Sequence, residues 1–338
     1  LFIGDKRNYF RKTSNRQLFP AMADLGAGPG YVSRITKEFN QDINSPELKQ
    51  VYALTCITHA LGYALPMGIA ATASGVPVNT IAQEILTQRG QLYHIAVIDT
   101  NGLKARHRVI ASKLIETAFT NEERYNLTKN LAMHFAPHIS ISAIQKKTLH
   151  YRIIRELMDE RIIVDWLGHK FAHTFYSELL PYYDWDARYW EQRALAEATM
   201  NHLPQARSFA ETAVERHRDP FTLNTLGTIL FRLAIAQEAT GLASKPDLYR
   251  EAVKNVHASY EMARNIFPHP YRTFFTHTLQ YVEVRFQNNS IDQEIIREWN
   301  WWYQKAQRSP LFASTETAAQ LKGYQTTWLK LATGNADL

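Results

Sequence analysis

Residues 45–90, SPELKQVYALTCITHALGYALPMGIAATASGVPVNTIAQEILTQRG, decide how this chain folds. Ser45 is a residue type that caps helix N-termini, Pro46 suits the first helical position and Glu47 suits the positive end of the helix dipole, so a helix starts there. Pro66 opens a second, short helix that Gly75 closes, and VPVNTIAQEILTQRG forms a third that ends at Gly90. Beyond it, LYHIAVID and LKARHRV flank Asp99-Thr100-Asn101-Gly102, a turn sequence that joins two short strands. Three short helices followed by a two-stranded wing make a winged helix.

Working outward, the chain turns helical again after Arg108 through VIASKLIETAF, and residues 121–183 carry further amphipathic patterns such as HYRIIRELMDERIIVDWLGHKFAHTFYSELL. Around Trp190 the helices begin to repeat. Trp190, Ala194, Ala206 and Ala213 fall at the bulky and small positions that let two antiparallel helices pack in a tetratricopeptide-like unit of about 34 residues, with a break at Asn201–Pro204. A second unit places Leu226 and Gly227 in its first helix and Val256, Tyr260, Ala263 and Pro268 later. Gly227 and Val256 lie farther apart than the regular repeat allows, which predicts an insertion of about 17 residues around GLASKPDL. Beyond Pro270 the pattern decays into degenerate repeats and a cap. The fold expected is mainly α: a winged helix with a small β-hairpin, then a TPR-like α-α superhelix.

Composition narrows the class. Apolar residues are 45% of the chain, enough for a buried core, yet no run approaches the roughly 20 uninterrupted apolar residues of a membrane span. The start at Leu1 runs straight into charge and aromatics instead of a basic, apolar and small-residue leader, which predicts a cytoplasmic chain and a fragment of a longer one. Cys56, the single cysteine, sits in the apolar stretch VYALTCITHA and reads as a small core residue. A formal net charge of +6 favours encounter with anions without choosing among them. The densest basic stretch is KARHRVIASK, Lys104–Lys113.

Few patterns carry chemistry. GAGPG at residues 26–30 lacks the Gly-Lys-Ser/Thr that makes a glycine-rich loop a phosphate cradle, since Gly30 is followed by Tyr31, Val32 and Ser33. His169 and His173, one turn apart with Asp165 a turn earlier, have the spacing of a metal site but lack a fourth ligand, and no metal is expected. A triad, carboxylate pair or metal cluster is not recognisable, so no catalytic residue is assigned. Trp299, Trp301, Trp302 and Tyr303, with Phe275 and Tyr281, are candidates for gripping a protein ligand, because aromatics dominate binding hot spots. The i, i+3, i+4 spacing of Trp299, Trp302 and Tyr303 favours core instead. A DNA-binding reading would send the third helix into the major groove, but Arg89 with Glu84 opposing it supplies little phosphate attraction, so nucleic acid is not the expected partner.

RITKEF, LKQVYALTCITHALGYALPMGIAATASG, LKARHRVIAS, YWEQRALAE and LNTLGTILFRLA, in that order, make the chain resemble the bacterial STAND NTPases, NLR-like signalling ATPases that include the Avs antiphage sensors. The resemblance implies three parts: residues 1–45 as the helical tail of an NTPase core, 46–125 as the winged helix and 126–338 as a TPR-like sensor. It implies ATP or ADP with Mg2+ as cofactor of a longer protein, a foreign or phage protein as trigger, and a homo-oligomer on activation. In that class a Met-His-Asp motif ends the winged helix, and its His contacts the β-phosphate of ADP. Arg106-His107-Arg108 stands at the matching place, so these three are the implied cofactor-binding residues, although the arginines depart from Met and Asp. The alternative is a winged-helix and TPR transcription regulator that binds DNA.

Overall fold

The computed structural model describes residues 36–240 except 38 and 42, then 246–263, 265–285 and 291–333. GAGPG and nearly all of the expected 1–45 tail therefore lie outside the described residues. The chain divides into two compact units, the first closing at Tyr183 and the second opening at Asp184. Both are mainly helical, and among the described residues the sheet is a single two-stranded hairpin.

In the first unit, α1 (Pro46–Ala60) begins as its sequence dictates: Ser45 is extended and its hydroxyl accepts from the Leu48 amide at 3.2 Å. Every residue of α1 from Val51 to Thr58 is buried, which is the mark of a helix covered on all sides. Its covers are α2 (Met67–Ser74), α4 (Arg108–Ala118), α5 (Asn121–Phe135) and the wing. Two hydroxyls in that interior are satisfied within the helix, Thr55 donating to the Val51 carbonyl at 2.7 Å and Thr58 to that of Leu54 at 3.3 Å. Cys56 is fully buried and its thiol is pushed up to about 12 by burial, so it packs as a small apolar group.

Helix α3 (Val78–Leu86) stops four residues short of the Gly90 terminus that the sequence suggests. The cause is a fold-back: the Gln91 amide donates to the Glu84 carboxylate at 2.7 Å and the Leu92 amide to the Glu84 carbonyl at 3.1 Å. The chain then runs into β1 (Ala96–Asp99) and β2 (Gly102–Ala105), antiparallel with Asp99 opposite Gly102. Leu65 adds an isolated bridge beside them by exchanging two 2.8 Å hydrogen bonds with Leu103. This order of helix, short strand, two helices and hairpin is the winged-helix arrangement. The unit continues through α6 (Ile141–Gln145), α7 (Leu149–Leu157) and α8 (Glu160–Tyr183). Within α8, Gly168 leaves helical geometry at φ 74° and ψ 164°.

The second unit is a stack of helical hairpins: α9 (Ala187–Thr199) with α10 (Leu203–Arg216), α11 (Pro220–Ala239) with α12 (Pro246–Ala263), and α13 (His269–Arg285) with α14 (Gln293–Gln307), followed by α15 (Thr315–Thr333). The small residues do what their spacing predicts: Ala194, Ala206 and Ala213 are fully buried, and Asn201 turns the chain with φ 65°. Trp190 is only half-buried and leans on Phe209 at 5.5 Å. Much of the extra length of the second hairpin is helix, since α11 has 20 residues and α12 has 18, against 13 and 14 in the first pair, while GLASK, at the centre of the expected insertion, lies outside the described residues. Ion pairs tie the second helix of one hairpin to that of the next: Arg207 reaches Glu251 at 3.2 Å, and Arg250 grips Glu294 at 3.0 and 2.6 Å.

The crossing of α11 and α12 at Gly227 is tight: an added Cβ would stand 2.5 Å from Val256 Cγ2 and 3.2 Å from the Ala252 carbonyl oxygen. Overpacking of about 1–3 kcal/mol is expected from Gly227→Ala, which outweighs the gain of up to about 1 kcal/mol in helix propensity. Urea unfolding should show Gly227→Ala to be less stable than the parent chain. With Val256→Ala already present, adding Gly227→Ala should cost less than it does alone, since only the 3.2 Å approach to the Ala252 carbonyl oxygen remains tight. A single Gly227→Ala chain as stable as its parent would show that this crossing is not tight.

Candidate functional site

The wing ends where a helix begins, and that junction holds the basic triplet. Arg106 leaves β2, His107 is the extended residue that caps α4 (φ −134°, ψ 125°), and Arg108 is the first helical residue. The imidazole makes no capping bond to the helix it precedes. Because the helix starts at Arg108, the two arginines do not share a strand face. Arg106 donates to the Tyr93 carbonyl at 2.7 Å. Arg108 turns the other way and holds the Ala60 carbonyl at the C-terminal end of α1 with both Nε (3.2 Å) and Nη2 (2.8 Å). Both guanidinium groups thus have structural work, although each residue stays exposed.

Arg108 brings the end of α1 to the junction, and with it comes His59, a residue that no local pattern marks. His59 is half-buried, and its Nδ1 is wholly enclosed without a hydrogen-bond partner. Its pKa is held down to about 4, first by burial and then by the positive charges of Lys104 and Arg108, with Asp99 opposing and His107 adding to them. His107 is also held below the ordinary histidine value, by burial and by the Arg106 charge. Lys104 pairs with Asp99 across the hairpin turn. The junction is therefore a cluster of three fixed cations, one carboxylate and two imidazoles that the fold keeps neutral at pH 7.

The other sequence candidates separate. Trp299 and Trp302 are fully buried, Trp299 stacking on Trp328 at 4.4 Å and donating to Gln325 Oε1 at 3.0 Å. Phe275 packs edge-on to Trp299 at 5.0 Å, and Tyr281 is buried with its hydroxyl donating to Glu238 at 3.2 Å. These four are core side chains and present no face to a ligand. Trp301 and Tyr303 are half-buried, and Trp301 lies against His257 at 4.5 Å with the Lys305 ammonium 5.2 Å from its ring centre. A recess of the second unit lies away from these side chains, a 380 Å³ hollow between the α9–α10 turn, α11 and α13, with Asn201, Arg232, Ile235, Gln280, Glu283 and Val284 on its walls.

Gly168 breaks the helical register between Asp165 and His169, so Asp165 does not continue the face of His169 and His173. Among the described residues no group of three His, Cys, Asp or Glu side chains stands close enough to hold a metal ion. Helix α3 carries no Lys or Arg, and its exposed residues are Val78, Asn79, Thr80, Gln83 and Leu86. No described helix is long and apolar enough to cross a membrane. Comparison of the chain with family models, curated proteins and solved structures finds no match.

His59 gives the junction a measurable signature. A histidine whose folded pKa lies below its unfolded value adds stability that is present above about pH 6.5 and is lost as pH falls toward 4, because the unfolded chain takes up the proton first. Allowing for solvent screening of a half-exposed ring, His59 should account for on the order of 1–2 kcal/mol of that loss. His59→Gln should therefore destabilise less steeply than the parent between pH 6.5 and 4 in urea titrations. Parallel curves for the two chains would show that neither burial nor the cations hold the His59 proton off.

Proposed function

We propose that this chain is the sensor and regulatory part of a STAND-type signalling ATPase in antiphage defence. In this reading the hairpin repeats bind a foreign protein, and the winged helix couples that event to the ADP or ATP state and to homo-oligomerisation, in the cytoplasm. The nucleotide, with its Mg2+, is held by a P-loop core outside the residues considered, since none of them supplies a Gly-Lys-Ser/Thr cradle. The chain then contributes ligand contacts and mechanical coupling, and no catalytic group of its own.

The observation that carries the reading is the place of His107. It is half-buried at the first turn of α4, directly after the wing, with Arg106 and Arg108 on either side and helix amides behind it. An imidazole so placed can donate to a phosphate oxygen, and the helix N-terminus favours the anion's charge. Closure of the core on ADP would use that bond, and trigger binding at the repeats would break it. The recess beside Arg232 and Glu283 offers the repeat unit both charges and apolar walls for a protein ligand. On the DNA-binding alternative, α3 would enter a groove presenting Val78 and Leu86 and no cation, which supplies no phosphate attraction.

A hydrogen bond to a charged partner contributes about 1.5–3 kcal/mol, so His107→Ala in the full-length protein should speed ADP release by roughly 10–100-fold and raise signalling without a trigger. Release of a fluorescent ADP analogue measures the first, and effector output measures the second. Unaltered ADP retention and output in His107→Ala would remove His107 from the nucleotide site and the main support of this reading with it.

A further inference from the structure

The positive charge of the chain is concentrated in one stretch. Residues 124–155 carry six Lys and Arg (Arg124, Lys129, Lys146, Lys147, Arg152 and Arg155) and no Asp or Glu, which equals the formal excess of +6 of the whole chain. Two of the six are engaged by the fold: Lys129 pairs with Glu178 at 2.7 Å, and Arg124 donates to the Ile115 and Glu116 carbonyls at 3.1 and 3.3 Å. The other four are exposed and gather on α7 and the turn that leads into it. Among the described residues Arg155 has Glu156 as its nearest carboxylate at 3.9 Å, and Lys146, Lys147 and Arg152 make no ion pair.

Local structure fixes these four along one edge of the first unit. Three amides close the α6–α7 turn, Lys146 donating to the Ser142 carbonyl at 3.0 Å, Lys147 to that of Ile144 at 3.1 Å and Thr148 to that of Ala143 at 3.1 Å. The Thr148 hydroxyl then caps α7 by accepting from the Tyr151 amide at 3.3 Å. Helix α7 buries Ile153, Ile154 and Leu157 and packs on α5 and α8. Arg152 and Arg155, three residues apart, share its outer face, and Arg152 lies over the Tyr63 ring, 5.9 Å from the centroid. Between Thr148 and Arg155 the helix rises about 10 Å, so the four cations form a strip along it. Lys146 and Lys147 stand at the positive end of the helix dipole, where a cation is disfavoured, and no carboxylate of the stretch offsets them. The strip is complementary to an external anion long enough to span it.

The side chains around the strip discriminate among such anions. Aromatic and apolar anchors dominate the grip on a protein partner, and Lys is depleted in such interfaces, whereas the exposed large apolar side chain of this stretch is Ile141. A single nucleic-acid strand needs exposed aromatic faces on which its bases stack, and the tyrosines beside the strip, Tyr63 and Tyr151, are half-buried. A duplex asks only for cations along its phosphates, and it presents one charge per roughly 1.7 Å of axis. We propose that Lys146, Lys147, Arg152 and Arg155 form a docking strip for the phosphate backbone of a nucleic-acid duplex, bound without regard to base sequence. Helix α3, which has no Lys or Arg, takes no part in it, and neither does the junction at His107, so the inference does not rest on the nucleotide reading.

Fluorescence anisotropy of the 338-residue chain with labelled duplex DNA and duplex RNA of one arbitrary sequence, at several salt concentrations, counts the phosphates contacted. Four contacts give log K a slope against log salt of about −3.6 or steeper. Lys146→Gln combined with Lys147→Gln should reduce that slope by about two and weaken binding roughly tenfold in about 50 mM salt, and Arg155→Gln should reduce it by about one. Arg89→Gln, just past α3, should leave binding unchanged. Urea unfolding of these variants should match the parent, which separates a lost contact from a lost fold. No binding to either duplex at about 100 µM chain in about 50 mM salt, an unchanged slope in the double lysine variant, or loss of binding in Arg89→Gln would overturn the proposal. Tighter binding of polyglutamate or of phosphatidylserine vesicles than of either duplex, lost in the double lysine variant, would overturn it as well and assign the strip to an acidic protein or a membrane. Binding of only one of the two duplexes supports the strip and identifies that duplex as its partner.

Discussion

Two hydrogen bonds between Leu65 and Leu103 tie the helices of the first unit to its hairpin. They fasten the segment just past α1 to the middle of the wing, and Leu65 and Leu103 are both fully buried there. The approach is so close that a Cβ on Gly102 would lie 2.1 Å from the Leu65 carbonyl oxygen, and Gly102 has φ 134°. Only glycine fits that contact, so the residue that looks like the end of a hairpin turn is also where the wing meets the helices. From this attachment follow the burial of α1, the approach of β2 to its last turns, and the reach of Arg108 back to Ala60. That pairing brings β2 and the start of α4 to the end of α1, where Arg108 finds the Ala60 carbonyl.

The second unit depends on a different constraint, the close approach of helix pairs, and small residues signal it. Alanines at 194, 206 and 213 and glycine at 227 are legible because a helix face that must touch another backbone cannot carry a large side chain. The length of the repeat is not legible in the same way. A template of about 34 residues puts the surplus into one inserted loop, whereas α11 and α12 absorb much of it as extra turns. A helix can lengthen by whole turns without disturbing the contacts at its crossing point, so the marker residues keep their places while the spacing between them grows. The ion pairs Arg207–Glu251 and Arg250–Glu294 each span 44 residues, a register that becomes visible only once the helices are stacked.

Aromatic residues illustrate the same divide. The i, i+3 spacing of Trp299 and Trp302 puts both into the core, and Trp328 reaches Trp299 from a helix too distant in sequence for any local pattern to suggest. In the basic junction, His107 stands out because it follows a strand and precedes a helix, both of which a local reading can find. Its sequence neighbours mislead, since strand alternation would set Arg106 and Arg108 on one face, and the helix start turns them to separate carbonyls. His59 has no local signal at all. It lies in the last turn of an apolar helix, where a histidine ordinarily means packing, and becomes a member of the cluster through the Leu65–Leu103 attachment.

The positive charge of that cluster is held by architecture. Arg108 is fixed by the end of α1, whose last carbonyls carry the negative end of the helix dipole and welcome a cation, and Arg106 is fixed by the loop before the wing. An arginine anchored on a carboxylate would have its charge cancelled before any ligand arrived. Anchoring on carbonyls secures the same geometry and leaves the field intact, so the side chains that shape the fold also keep the potential of the surface positive. Neutral imidazoles extend this economy, because an uncharged ring beside these cations costs the fold little repulsion. His59, with its Nδ1 enclosed, stands at the end of α1, the helix on which β2 and α4 both pack. A change of charge there would bear on the contacts that hold α1, β2 and α4 together.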